Sequence, residues 1–526
     1  MESEIRGGSL GRLARATFTV FILNFASRLL GFIRDAVIAG KFGAGPETDA
    51  YMVAYTIPYF LQTVLGMAFV TVLVPALTAY LVKGEREEAW KVASALINWT
   101  GLILVVLAVV GGILAPFLVD LLAPGFPANV EGLAVRLTRI LFFSLPIMGT
   151  GMVVSGILNS GYRFTSPALA PAVSNIIIIA SALSLAGSFG IYGLALGTVA
   201  SFLAFLFVQV PELSRLGFRY FYLLHSRHPM VRRVGIYLPP VIFSLAVNQV
   251  YQATNRFFAS HLAPGSITAL DLGLRLVSVP LGVFAAAVST AVFPALSEEA
   301  ARGRTREMAT LTCRGISLVA FMVLPTAVAF IVLREPLVRL VFERGAFGTH
   351  ATLMTAEVVF YASWGLLAQV AQPILLRTFY ALGEVVVPAV TGLASVGLNA
   401  VFSLLLAPAL GHGGLALSNS LAASFYVLAL YTALKIRLPF LETGALLKRG
   451  GSVGLASIFM GILLFILSKA LYVFEPSQAT WVLGLKLGFL AGASFIIFLA
   501  LASVFKVEEI RLLREVVGRR FRGLMR

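Results

Sequence analysis

The sequence predicts an all-α polytopic membrane protein with fourteen transmembrane helices, arranged as two six-helix lobes related by a parallel repeat, plus two C-terminal helices. Three observations predict this fold: an unusually apolar composition, apolar runs long enough to span a bilayer, and short strings that recur at a nearly constant offset. Of the 526 residues, 59% are hydrophobic and 12% are charged, whereas soluble domains carry about 25% charged residues.

Apolar runs recur along the whole chain. A membrane-spanning helix needs about 20 apolar residues, and helices satisfy their backbone polar groups inside lipid. The first run follows three arginines as in a signal peptide, but it continues past Arg28 without a clear cleavage site, so we expect a retained first helix. The fourteen predicted spans are 16–40, 49–82, 90–121, 132–159, 165–187, 190–213, 232–261, 266–297, 306–333, 351–381, 384–408, 412–434, 447–471 and 479–505.

Basic residues lie mostly on one side of these spans. About two thirds of the 40 Lys and Arg residues fall near the termini or in the connections on the same side as the termini. Because cytoplasmic loops carry the excess of Lys and Arg, we expect a multi-pass protein with both termini in the cytoplasm. The tail at 506–526 holds seven basic and three acidic residues, which favours an anchor on anionic headgroups over a nucleic-acid site.

Four short strings recur in the same order at offsets of 217–221 residues. Six spans return the chain to the starting side, so the two copies share one orientation, as in transporters with parallel repeats. We therefore predict an N-terminal lobe at 1–214 with helices 1–6, a C-terminal lobe at 215–440 with helices 7–12, a pair of extra helices at 441–505, and the tail. The matching strings are Val74-Pro-Ala-Leu with Phe293-Pro-Ala-Leu, Pro116 with Pro336, Pro171-Ala-Val with Pro388-Ala-Val, and Gly193-Leu-Ala-Leu with Gly414-Leu-Ala-Leu.

Charged residues inside the predicted spans are the candidate site residues, because a charge at bilayer depth usually faces a cavity or the bundle interior. Arginines outnumber the nearby acids, and guanidinium forks match phosphate oxygens. One interpretation is a positively charged cavity for an anionic, phosphate-bearing substrate, and the other is a set of ion pairs between helices. The residues concerned are Arg28, Arg34 and Asp35 of the first span, Asp49 of the second, Arg256 of the seventh, and Asp271 and Arg275 of the eighth.

Sequence patterns of catalysis are missing from the chain. It has no Gly-x-x-x-x-Gly-Lys-Ser/Thr phosphate loop, no Gly-x-Ser-x-Gly elbow and no His-Glu-x-x-His string. Cys313 is the single cysteine, and the five histidines are scattered, His225 among them. We therefore expect a transporter and not an enzyme, without cofactor or catalytic metal, driven by an ion gradient, the membrane potential or downhill flow.

The stretch Ser27-Arg-Leu-Leu-Gly-Phe-Ile-Arg-Asp35, with Phe42-Gly-Ala-Gly45 and Thr48-Asp-Ala50, resembles the start of the MurJ (MviN) family of lipid II flippases. This family belongs to the multidrug/oligosaccharidyl-lipid/polysaccharide (MOP) exporter superfamily. Further strings agree along nearly the whole chain: Asn255-Arg-Phe-Phe-Ala-Ser260, Gly265-Ser266, Arg275-Leu276, Pro280-Leu-Gly-Val-Phe284, Phe293-Pro294, Phe342-Glu-Arg-Gly-Ala-Phe347 and Gly411-His-Gly-Gly-Leu-Ala-Leu417.

The resemblance implies two six-helix lobes in a V, and a groove on the two C-terminal helices for a polyprenyl tail. It implies movement of lipid II, the undecaprenyl-diphosphate-linked peptidoglycan precursor, from the inner to the outer leaflet of the bacterial inner membrane by alternating access. The family's cavity residues map onto Arg28, Arg34, Asp35, Asp49, Arg256 and Arg275. Expected partners are lipid II or a related polyprenyl-diphosphate lipid and membrane lipids, with no nucleic acid and a monomeric chain.

Two departures from the family pattern concern charge. Many members carry a basic pair where this chain has Gln62-Thr63, and members with a proposed sodium site have aspartates where it has Asn255 and Ser403. With Asn399 and Asn419, those two residues form the candidate site for a monovalent cation. Two alternatives stay open: an exporter of another polyprenyl-linked oligosaccharide or of a cationic drug, and a non-transport scaffold of the cell-wall assembly complex.

Overall fold

The computed structural model describes residues 2–222, 224, 228–246, 249–475 and 478–510. The described part of the chain is 86% helical and contains no strand. This confirms the predicted all-α class. His225 and the predicted basic tail from residue 511 onward lie outside the described residues.

The described chain forms two compact units. Unit 1 comprises Met1–Gly265 with Arg344–Phe347, and unit 2 comprises Ser266–Glu343 with Gly348–Arg526. This division by packing differs from the division by sequence repeat, whose lobe boundaries stay a prediction. The helices of unit 1 are α1 (Glu2–Phe42), α2 (Pro46–Val82), α3 (Arg86–Ile113), α4 (Ala115–Leu122), α5 (Ala128–Phe142), α6 (Ser144–Ser160), α7 (Thr165–Ser184), α8 (Ala186–Phe207), α9 (Val210–Arg215), α10 (Pro229–Ala246) and α11 (Val250–Ala259).

The described part of unit 2 contains seven helices. Its last two, which follow the predicted lobes, pack against each other and against the helix that begins at Thr305. The helices of unit 2 are α12 (Ser266–Ala301), α13 (Thr305–Phe342), α14 (Thr349–Trp364), α15 (Leu366–Ala381), α16 (Val386–Arg437), α17 (Thr443–Ala470) and α18 (Thr480–Val504).

Each of the fourteen predicted spans lies largely on described helices, but several are broken, and the span 232–261 includes residues 247–248, which lie outside the described part. The third is divided at Leu114 between α3 and α4, and the fourth at Phe143 between α5 and α6. The tenth is the pair α14 and α15, bent by 44°. By length and composition, nine described helices could cross a membrane, or ten with that bent pair. The count of fourteen transmembrane helices therefore stays a prediction.

Helix bounds recur with the offset of the sequence repeat. The break between α5 and α6 is at Phe143, and the break between α14 and α15 is at Gly365, 222 residues later. The starts of α7 at Thr165 and of α16 at Val386 are 221 residues apart. The repeated strings therefore accompany a repeated pattern of helix breaks.

The start of α2 is fixed by local chemistry, and this positions the candidate site. Pro46 occupies the first helical turn, where its fixed φ and missing N–H are tolerated. Thr48 Oγ1 accepts the Gly45 N–H at 2.9 Å, which satisfies a donor before the helix begins. In its C-terminal half, α2 packs on α6 through fully buried side chains such as Leu73 and Ile157.

Candidate functional site

A cavity of about 420 Å³ in unit 1 holds one of the predicted site residues. Helices α1, α2, α7 and α8 form its wall, and among the described residues that line it Arg34 alone is formally charged. The cavity is therefore polar but carries few charges. The other lining residues are Tyr55, Tyr59, Gln62, Thr63, Gly66, Met67, Pro171, Ser174, Asn175, Ile178 and Phe202.

Arg34 is held in place by protein partners. Its Nε and Nη2 donate to Asp35 Oδ1 at 3.0 and 2.8 Å, and its Nη1 donates to Asn175 Oδ1 at 3.0 Å. Asn175 is itself fixed, because its Nδ2 donates to the Ser27 carbonyl at 3.1 Å. The adjacent Asp35 carboxylate balances the charge that Arg34 brings to the cavity. This ion pair lies within α1 and does not join two helices, and Arg34 contacts another helix through the hydrogen bond to Asn175 on α7. A direct role of Arg34 in binding substrate stays a prediction.

Three tyrosines form a row along α2. Tyr51, Tyr55 and Tyr59 are each four residues apart, so helical periodicity places them on one face. The rings of Tyr51 and Tyr55 stack with centroids 5.9 Å apart and planes at 5°, and those of Tyr55 and Tyr59 lie 5.8 Å apart at 41°. Tyr51 Oη and Thr198 Oγ1 share a hydrogen bond of 2.8 Å, which ties the row to α8. Sequence reasoning missed this row, although its spacing is a readable signal.

The next turn of α2 adds Gln62 and Thr63 to the cavity wall. Thr63 Oγ1 donates to the Tyr59 carbonyl at 3.0 Å. The amide of Gln62 offers both donors and an acceptor. At the positions where many members of the resembling family carry a basic pair, this wall therefore presents neutral hydrogen-bonding groups beside aromatic rings.

Asp49 binds backbone and does not line the cavity. It is 3% exposed, and its Oδ2 accepts the Gly265 N–H at 2.6 Å. Gly265 has a φ of +90°, and an added Cβ would lie 2.6 Å from the Ala44 carbonyl oxygen. The carboxylate therefore fixes a close backbone contact between the start of α2 and the segment after α11.

Arg256 also binds backbone. It is buried on α11, and its Nη1 donates to the Met52 carbonyl on α2. Arg256 belongs to the predicted C-terminal lobe, yet it packs in the same compact unit as Arg34. It is not among the residues that line the cavity, so its observed contact is a link between α11 and α2.

Arg28 differs from Arg34 and Arg256, the other predicted site arginines of unit 1. Its side chain is exposed on α1, and it forms no hydrogen bond or ion pair with a residue in the described part of the chain. A guanidinium has five N–H donors. Arg28 is therefore the predicted site residue of this unit that is most available to an anionic ligand.

Arg275 lies in unit 2, on α12, one turn after Asp271. Both side chains are half-buried. The i,i+4 spacing that the sequence gives this pair is thus carried by one continuous helix.

The candidate cation residues fall in both units. Asn399 and Ser403 are fully buried one turn apart on α16, and Asn399 Nδ2 donates to Asn419 Oδ1 at 2.8 Å. Asn399 Oδ1 and Ser403 Oγ are buried without a hydrogen-bond partner among the described residues. The Oδ1 of Asn255, on α11 of unit 1, is also buried without a hydrogen-bond partner among the described residues. Neutral oxygens are thus present on α16. The described residues form no cluster of three His, Cys, Asp or Glu side chains that could hold a metal ion.

Backbone segments meet closely at the C-terminal end of α1, in a contact that we call the glycine clasp (Gly40, Gly43, Gly265 and Gly345). The Ala346 N–H donates to the Gly40 carbonyl at 2.8 Å. Gly345 has a φ of +56°, and an added Cβ would lie 2.2 Å from the Gly40 oxygen. The clasp therefore depends on glycine, and it joins three of the strings on which the family resemblance rests.

Comparison with known proteins gives a consistent family. The family model described as lipid II flippase MurJ matches residues 38–492 of this chain. The lipid II flippase MurJ of Burkholderia cenocepacia is 29% identical over 434 residues, which covers 81% of this chain and 84% of that protein. The probable lipid II flippase MurJ of Thermotoga maritima is 27% identical over 502 residues, which covers 94% of this chain and 97% of that protein.

Solved structures agree with these relatives. A lipid II flippase MurJ in an inward closed conformation superposes with a TM-score of 0.76 at 25% identity, covering 93% of this chain and 99% of that one. An inward-facing multidrug resistance MATE family transporter of the MOP superfamily superposes with a TM-score of 0.63 at 16% identity, covering 81% and 99%. The second likeness shows the fold alone.

Proposed function

This chain belongs to the lipid II flippase MurJ family, and we propose that it moves lipid II from the inner to the outer leaflet of the bacterial inner membrane. Its relatives are transporters, so the chain is a multi-pass membrane transporter and not an enzyme. The observation that carries the proposal is the cavity around Arg34, which places amides, hydroxyls and tyrosine rings inside apolar helices. A polar headgroup needs such a lining, because polar groups are costly to bury without partners.

The cavity and the arginines have separate roles in this proposal. Rings and neutral amides suit the sugars and peptide amides of the headgroup, since tyrosine combines an apolar face with a polar tip. The diphosphate is assigned to Arg28, whose exposed guanidinium can make charge-assisted bonds to phosphate oxygens. Arg275 is proposed as a second diphosphate ligand because of the family resemblance. Arg34, Asp35, Asp49 and Arg256 hold the surrounding helices, and we propose that they contact substrate only when those contacts rearrange.

Alternating access is the proposed mechanism, and the glycine clasp supports it. In the predicted topology, the connection after the first span and the connection around Gly345 lie on the outer side, opposite the cytoplasmic termini. The clasp closes that end of α1 through backbone contacts. Opening it would let the headgroup leave toward the outer leaflet, while the groove on helices 441–505 holds the polyprenyl tail.

The chain is proposed to act as a monomer without a cofactor. A monovalent cation at Asn255, Asn399, Ser403 and Asn419 would find neutral oxygens only, so we assign the drive to the membrane potential acting on charged residues. Preservation of transport when sodium is replaced by choline supports this assignment, and loss of transport under that exchange overturns it.

Complementation tests the proposed roles. In a host depleted of its own flippase, we expect this chain to restore growth, and Arg28→Ala and Arg275→Ala to fail at equal membrane abundance. Arg306→Ala, at the exposed start of α13, is the matched control and is expected to restore growth. Full rescue by both the Arg28→Ala and the Arg275→Ala variants contradicts diphosphate binding by these arginines. No rescue by well-inserted wild-type chain favours export of another polyprenyl-linked oligosaccharide.

A further inference from the structure

Unit 1 has a second concave site, which lies apart from the cavity around Arg34. It is a groove of about 620 Å³ between α3, α5 and the start of α6, and we call it the α3–α5 groove. Its lining is apolar apart from one arginine. The lining residues used below are Val105, Val109, Gly112, Ile113, Arg139 and Phe142.

One wall of the α3–α5 groove is an exposed apolar row. Val105, Val109 and Ile113 follow one face of α3 at four-residue spacing, and their side chains are 46%, 58% and 70% exposed. Such a row on a membrane-spanning helix faces hydrocarbon. The groove is therefore open to lipid along its length.

The depth of the groove comes from two neighbouring glycines with opposite surroundings. At Gly111 an added Cβ would lie 2.5 Å from the Phe142 ring, so α3 and α5 are in close contact there. At Gly112 an added Cβ would meet no atom within 4 Å. Close packing on one side of α3 thus leaves open space on the adjacent side.

Arg139 lines the groove, and Arg136 lies one turn earlier on α5. Arg139 Nε donates to the Gly112 carbonyl at 3.2 Å, and Arg136 Nε donates to Tyr192 Oη at 2.7 Å. Both side chains are exposed on α5, at i,i+3 spacing. Neither forms an ion pair with a carboxylate in the described part of the chain. Each guanidinium therefore keeps its terminal N–H groups for a ligand, and that of Arg139 lies beside the last turn of α3.

We propose that the α3–α5 groove binds one anionic glycerophospholipid, with an acyl chain along α3 and the phosphate on Arg136 and Arg139. Apolar surface beneath paired cations matches a molecule with an acyl chain and a negative head. Two guanidinium forks make charge-assisted bonds to phosphate oxygens. A zwitterionic lipid would bring a further positive charge beside these arginines, so charge complementarity favours an anionic headgroup.

The test uses the purified full-length chain in phosphatidylcholine nanodiscs that contain spin-labelled phosphatidylglycerol as the probe. Arg136→Gln with Arg139→Gln is expected to lower the relative affinity for phosphatidylglycerol about tenfold, because two charge-assisted contacts are lost. Affinity for spin-labelled phosphatidylcholine stays unchanged. Arg139→Lys keeps the charge but loses the planar guanidinium fork. Its relative affinity for phosphatidylglycerol should therefore lie between those of the wild type and the double variant.

Filling the groove tests the position of the acyl chain. Gly112→Leu places a side chain in open space and is expected to lower binding of both labelled lipids. Gly101→Leu is the matched control: it lies three turns earlier on α3, also with no atom within 4 Å of an added Cβ, and binding stays at the wild-type level. Thermal unfolding checks that both variants are folded. Equal binding of phosphatidylglycerol by the wild type and the double-Gln variant overturns the proposal. So does equal binding by the two leucine variants, or conversion of a dimer to a monomer by Gly112→Leu, which would assign the groove to a second copy of the chain.

Discussion

Gly190 and Gly411 lie 221 residues apart and adopt the same backbone conformation, with φ of 54° at both and ψ of −139° and −136°. Each interrupts a run that is otherwise helical. The repeat detected in the sequence is therefore also a repeat of an unusual backbone geometry.

The glycines three residues later repeat a contact as well. An added Cβ at Gly193 would lie 2.8 Å from the Leu185 carbonyl oxygen, and at Gly414 it would lie 2.4 Å from the Leu406 carbonyl oxygen. Both pairs enclose one of the glycine breaks. The Gly-Leu-Ala-Leu strings thus mark a tight helix-to-helix joint in each half of the repeat.

We predict that Gly190→Ala and Gly411→Ala each destabilise the protein by about 1–3 kcal/mol, because residues with a Cβ rarely adopt this combination of positive φ and strongly negative ψ. No atom lies within 4 Å of an added Cβ at either position, so the effect is conformational and not steric. The measurement is the thermal unfolding midpoint of the purified chain. Gly187→Ala is the control, since Gly187 is helical and open, and it should not destabilise. Equal thermal unfolding midpoints for all three variants would contradict backbone strain at positions 190 and 411.

A second prediction concerns the coupling of Arg34 and Asp35. Because the pair is largely buried and hydrogen-bonded, Arg34→Gln and Asp35→Asn should each lower the unfolding midpoint, and the double variant should lower it by less than the sum. The expected coupling is about 1–2 kcal/mol in a double-mutant cycle. The exposed pair Arg302 and Glu298, at 2.6 Å, should show coupling near zero. Additive effects at Arg34 and Asp35 would exclude the ion pair as a stabilising contact.

A third prediction concerns the tyrosine row. Tyr59→Ala removes a ring from the cavity wall and should lower lipid II transport about three- to tenfold, because aromatic contacts contribute about 0.5–1.5 kcal/mol. Tyr59→Phe keeps the ring and should retain most activity. Tyr380→Ala, an exposed tyrosine of unit 2, serves as the control at matched abundance. Transport by Tyr59→Ala at the wild-type rate would remove the row from the proposed headgroup site.

A fourth prediction concerns the glycine clasp. Gly345→Ala forces a Cβ against the Gly40 carbonyl oxygen and should open the end of α1 that the proposed topology places on the outer side. In a Cys313→Ala background with Thr63→Cys as reporter, Gly345→Ala should increase labelling by an impermeant thiol reagent added from outside at least severalfold.

Gly303→Ala is the matched control for the clasp. Gly303 has a φ of +67° with no atom within 4 Å of an added Cβ, so it carries similar backbone strain without the contact. When Gly303→Ala is added to the Cys313→Ala, Thr63→Cys background, the labelling rate of the reporter cysteine should equal that of the background alone. Equal labelling rates for the Gly345→Ala and Gly303→Ala variants would show that the clasp does not close the cavity.

Apolar runs were enough to predict the helices, since each predicted span lies largely on helical residues where the structure describes it. They could not predict the breaks at Phe143 and Gly365, because apolar composition continues unchanged across them. They also separated residues 384–408 from 412–434, whereas α16 is helical on both sides of Gly411. A single residue with positive φ turns the chain there without a polar loop.

The candidate site was predicted only in part. Charge alone identified Arg34, but its partner Asn175 is 141 residues away on α7, and no local pattern links them. Spacing alone could not show that Arg256 packs with α2. The tyrosine row was missed because aromatic residues at helical spacing usually belong to a packed core, and only the cavity distinguishes Tyr55 and Tyr59 from core residues.

The central claim is that this chain transports lipid II, and surface exposure of lipid II tests it most directly. In cells depleted of their own flippase, an externally added enzyme that cleaves lipid II reports the fraction that has reached the outer leaflet. We predict that expression of this chain restores cleavage to the level of the undepleted host, and that Arg28→Ala does not. If the chain is inserted at normal abundance and lipid II stays protected from the enzyme, the claim is contradicted.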